Sequence, residues 1–112
     1  IMVTLEEFDG LLTRSGVSLA SLGIRDIALS RSNALKAVEL LRRAKFPILG
    51  GDVYFRRGDR IEVAYANWYA DPEPSEDHDT YLRRRWDKAE TYLKNFPETT
   101  DAEVLFALVV KS

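Results

Sequence analysis

This chain of 112 residues contains no cysteine and only one histidine. The missing thiols exclude a disulfide framework and thiolate chemistry, which agrees with a cytoplasmic protein. No apolar run approaches the roughly 18 residues expected of a membrane span. The opening residues lack the charged and then apolar profile of a secretory signal. Ile1 ahead of Met2 reads as a leftover residue before the native start. Charge of either sign is in little excess: 18 acids face 16 Lys and Arg, a net charge of −2. That balance argues against non-specific binding to nucleic acid. The length predicts one domain over residues 1–112, able to bury about 65% of its unfolded surface without staples.

What is present is an alternation of helical and strand patterns. Thr4 is placed to cap a short helix over Leu5–Leu12, with Glu6 and Glu7 near its positive end. Residues 14–23 are turn-rich, and 23–29 hold a short apolar piece of strand length. Ser30 or Ser32 starts a helix to about Ala44, with Leu35, Val38 and Leu41 at helical spacing, and Pro47 stops it. Ile48–Phe55 and Arg60–Ala66 read as a hairpin around Gly58. In its second strand Ile61, Val63 and Tyr65 form the dry face. A loop from Asn67 to Pro74 carries Trp68, Tyr69 and Asp71. Ser75 then caps the longest helix, with Leu82, Trp86, Ala89, Leu93 and Phe96 as its stripe. The final run, Glu103–Val110, is continuously apolar, as in a strand covered on both faces. It is expected to enter between earlier strands. The fold class is α+β: a small mixed or antiparallel sheet, made of the central hairpin and the C-terminal strand, against two or three helices.

Tests for catalytic chemistry find little. His78 lies between Asp77 and Asp79, but neighbouring helical residues point about 100° apart and seldom share an ion. An acid-rich first turn explains them, so no metal site is assigned. Asp52, Asp71 and Glu62 are the carboxylates that a converging fold would pair for acid–base work. No nucleophile and base accompany them, and the chain is expected not to be an enzyme. Gly50-Gly51 follows a strand without opening a helix, so it is no phosphate cradle and no cofactor is implied. Arg57-Gly58-Asp59 is a turn rather than an adhesion tripeptide. Arg83-Arg84-Arg85 spreads around a helix as a solvated face.

Two segments stand out. Glycines inside a strand weaken it unless a backbone bends or another group approaches closely. Gly50, Gly51, Asp52 and Tyr54 are therefore motif residues, structural or partner-binding, with Asp52 expected to steady the following loop. The second segment is DPEPSEDHD at 71–79, which holds five of the 18 acids and leaves 13 against 16 Lys and Arg elsewhere. Trp68 and Tyr69 precede this acidic lobe, so Trp68, Tyr69, Asp71, Glu73, Glu76 and Asp77 form a candidate patch for a basic protein partner. A polar loop with Trp68 tucked into the core accounts for the same residues equally well.

The order of Leu22-Gly23-Ile24, Gly50-Gly51-Asp52-Val53-Tyr54 and Asn67-Trp68-Tyr69, followed by an amphipathic helix and an apolar strand, resembles the immunity protein 40 family of bacterial polymorphic toxin systems. The resemblance covers roughly Leu22 to Val110. It implies a cytoplasmic antidote that binds a cognate toxin domain and blocks it, without catalysis or cofactor, and it assigns no functional residues. A basic nuclease-type toxin would suit the acidic lobe, which could mimic phosphates. No nucleic acid or membrane is expected as a partner. The other reading of the same fold is a regulatory or structural interaction module, homodimeric through strand edges.

Overall fold

Ser30 and Asp77 start the two long helices by accepting a hydrogen bond from the backbone N–H three residues on, at Asn33 (3.3 Å) and Thr80 (2.8 Å). The computed structural model describes residues 5–110, so the cap expected from Thr4 lies outside the described residues. The elements are α1 (Glu6–Ser15), β1 (Val17–Ser18), a 3-10 turn (Ala20–Leu22), β2 (Ile27–Ser30), α2 (Arg31–Ala44), β3 (Ile48–Arg57), β4 (Arg60–Tyr69), α3 (His78–Asn95) and β5 (Glu103–Val110). Helix α2 closes with Lys45 in the left-handed region (φ 60°), which lets the Phe46 N–H reach the Leu41 carbonyl before Pro47. Ser75 is not the cap of α3; it lies in the preceding turn with φ 69°.

The strands form one antiparallel sheet in the order β1-β2-β5-β3-β4. The last strand thus enters the middle, and the continuous apolar run of β5 fits that place. Val104 and Phe106 point toward the helices, while Leu105 and Ala107 point the other way. The helix side holds the larger core: Phe8 and Leu11 of α1, Ala34, Val38 and Leu41 of α2, and Leu82, Trp86, Ala89 and Leu93 of α3. The Trp86 indole N–H donates to the Phe46 carbonyl (2.8 Å), tying α3 to the end of α2. The opposite side has a smaller core. There Leu19, with Val17, Leu22 and Ile24 of the β1–β2 arm, covers Ala28, Tyr54, Ile61, Leu105 and Ala107.

Two expectations are corrected in β4. This strand runs to Tyr69, so Asn67, Trp68 and Tyr69 lie in a strand paired with Asp52, Gly51 and Gly50, not in a loop. The face expected to be dry is the one away from the helices. Ile61 is buried under the arm, but Val63 is 39% and Tyr65 92% exposed. The helix-facing set is Ala64, Ala66 and Trp68. The pairing is also irregular here: Val63 pairs with Tyr54 and Asn67 with Asp52, so three residues of β4 bulge opposite Val53. Tyr65 sits at the crest with φ 57°, in the left-handed region.

Candidate interaction surface

Trp68 is a core residue. It is 6% exposed and stacks on Tyr92 of α3, with ring centroids 4.5 Å apart. The glycine pair exists to admit it. A Cβ on Gly51 would sit 2.2 Å from the indole, and one on Gly50 would sit 2.2 Å from the Trp68 carbonyl oxygen. The two glycines and the tryptophan are one packing unit, in which strand pairing and ring burial each require a missing side chain.

Helix α3, not Asp52, fixes the loop after β4. Arg84 grips Glu76 with two hydrogen bonds, Nε to Oε2 (2.6 Å) and Nη2 to Oε1 (3.0 Å), and also donates to the Asp71 carbonyl. Lys88 Nζ donates to the Tyr69 carbonyl (2.6 Å). The Glu76 side chain is only 5% exposed, and its Oε1 also accepts from the Glu73 N–H (3.2 Å). The Arg84 guanidinium holds the Glu76 carboxyl below its usual range. Asp77 is likewise held low, chiefly by the Thr80 N–H that it caps. These two acids are bound into the fold, whereas Asp71 and Glu73 stand exposed beside Tyr69, itself 64% exposed.

The remaining candidates separate. Asp52 lies on the sheet face away from the helices, half-buried opposite Asn67, and its carboxylate makes no hydrogen bond among the described residues. Tyr54, two residues on, is buried, and burial followed by the charges of Asp52 and Asp26 pushes its hydroxyl pKa up. Glu62 lies on the helix-facing side of β4 and is bound by Arg57 (2.8 Å) and Arg60 (3.0 Å). Asp52, Asp71 and Glu62 therefore do not converge. His78 packs near Tyr81, with centroids 6.2 Å apart, and the described residues contain no cluster of metal-ligating side chains.

Two residues escaped the sequence reading. Arg85 is not part of a solvated face; it is 4% exposed with its guanidinium 4.3 Å above the Tyr81 ring. Tyr65 was placed on a dry face and is instead the most exposed large apolar side chain described. A signal for it existed. Ile61-Val63-Tyr65 and Ala64-Ala66-Trp68 are two apolar alternations on opposite faces of one strand, so the even-numbered set was an equal candidate for the covered face.

No curated protein and no solved structure matches the chain. A family model does match, over residues 18–110, from the end of β1 through the glycine–tryptophan unit to the end of β5. Its description is Immunity protein 40, and on that match over most of its length the chain belongs to the Immunity protein 40 family.

Proposed function

We propose that this chain is a non-catalytic antidote that binds a cognate toxin domain in the cytoplasm and blocks its active site. The observation that carries this reading is the family match across residues 18–110. The site geometry supports it, since the carboxylates lie apart and the exposed groups near the end of β4 are an aromatic ring and acids. Aromatics anchor protein interfaces, and acids accelerate encounter with a basic partner. A toxin that acts on nucleic acid carries such basic surface. Tyr69, Asp71 and Glu73 are the members of the sequence-derived patch that remain available for contact, while Trp68, Glu76 and Asp77 serve the fold.

The test is coexpression of the chain with the product of each neighbouring gene as the candidate toxin. Restored growth and co-purification of a stoichiometric complex are expected. A folded chain that neither protects nor binds would overturn the reading. A second reading is a homodimeric interaction module joined through the outer edge of β4, which the bulge at Tyr65 leaves only partly regular. Light scattering of the isolated chain separates the two.

A further inference from the structure

All four large apolar side chains exposed among the described residues belong to one region: Val63 (39%), Tyr65 (92%) and Tyr69 (64%) of β4, and Val109 (40%) of β5. Val63, Tyr69 and Val109 pair with Tyr54 and Gly50 of β3, which sets them on the sheet face away from the helices, beyond the reach of the arm. Tyr65 crowns the bulge beside them. We propose that this open half of the sheet face, with Tyr65 at its rim and Asp52 at its centre, is the surface that grips the toxin domain, and that it takes a basic patch of that toxin. The proposal rests on the antidote reading and names the surface that performs it.

Three observations carry it. Tyr65 combines a left-handed backbone with an almost fully solvated ring, so the isolated chain gains nothing from either. Strain of that kind persists where it serves a site. Second, the bulge breaks the regular backbone ladder on the free edge, which disfavours pairing with another strand and leaves the face as the usable surface. Third, the sign of the charge is set. Among the described β3, β4 and β5 residues on this face, Arg56 and Glu103 neutralise each other, and Asp52 is the remaining charge. The exposed acids Asp71 and Glu73 follow Tyr69 but lie toward α3, near Arg84, and add negative charge beyond the end of β4 rather than on this face. An apolar, aromatic surface with an unpaired acid at its centre complements a basic partner.

The experiment takes the neighbouring-gene product that co-purifies with the wild-type chain and measures its binding to four variants of the full chain, each checked for folding by thermal melting. Tyr65→Gly removes both ring and strain. It should melt at or above the wild-type temperature and bind about thirtyfold more weakly, as an interface anchor would. Asn67→Lys should weaken binding and slow association, whereas Asn67→Glu should not. Asp71→Asn with Glu73→Gln should chiefly slow association. Folded Tyr65→Gly and Asn67→Lys proteins with wild-type affinity would overturn this surface while leaving the antidote reading intact. No binding or protection by the wild-type chain would overturn that reading and the proposal together. Tighter binding by Asn67→Lys would overturn the basic partner. A wild-type dimer that Tyr65→Gly converts to a monomer would assign the face to a second copy instead.

Discussion

The two faces of the sheet receive unequal cover. Three helices close one face around Trp68, Val53 and Phe106, while the short arm closes only half of the other, over Tyr54, Ile61 and Leu105. Strand β5 shows the contrast within a few residues. Leu105 is fully buried on the arm side, and Val109, four residues later on the same face, is 40% exposed. The covered face is governed by packing, so each side chain there has its shape set by a neighbour. The open half is under no such constraint, yet it keeps aromatic and β-branched residues that the chain's own packing does not use.

Substitutions can break or sharpen this contrast. The largest effect is expected from Trp68→Ala, which empties the helix side beneath Tyr92 and should destabilise the fold by about 4 kcal/mol in chemical denaturation. A loss below about 1 kcal/mol would mean that the covered face is not closed around this ring. Gly51→Ala comes next, at about 1–3 kcal/mol, because its Cβ would enter the indole. Acid titration follows. Glu76 and Asp77 have folded pKa values below their ordinary 4.5 and 3.8, as have Glu62 and Asp101 through Arg57. The stability they contribute is therefore complete above the unfolded values and lost as pH falls through the folded ones. Glu76→Gln should lower stability at pH 7 and flatten the acid limb of a denaturation midpoint measured against pH. An unchanged acid limb would remove the Arg84–Glu76 pair from the account. On the open half the effects should be small. Tyr65→Gly should leave stability unchanged or raise it by up to about 1 kcal/mol. Val63→Thr should stay within about 0.5 kcal/mol.

The same contrast explains what could be read in the sequence. Helices α2 and α3, the β3–β4 hairpin turn at Gly58 (φ 59°) and the central place of β5 were legible, because each depends on local periodicity or on a run apolar on both faces. The outer half of β4 was not. Periodicity reports that a face is apolar without saying whether anything covers it, and the bulge at Tyr65 has no local signature of its own. The candidate patch was partly legible for a related reason. Tyr69, Asp71 and Glu73 are exposed as the composition suggested, but Arg84 and the Thr80 N–H lie on α3, and nothing in residues 71–77 discloses that two of their acids are already engaged.

The central position of β5 also bears on when the protein becomes functional. Strand β2 ends at Ser30 and β3 at Arg57, and both pair with a strand that starts at Glu103. During synthesis the arm, both long helices and the hairpin emerge before the strand that joins them, and closing such distant pairings is slow. Until β5 leaves the ribosome, β2 and β3 have no strand between them and the helix-side core lacks Val104 and Phe106. If the proposed antidote role holds, protection would have to wait for this last strand. A chain stalled before Glu103 would lack the strand that joins the two halves of its sheet, however much of its surface had already been made.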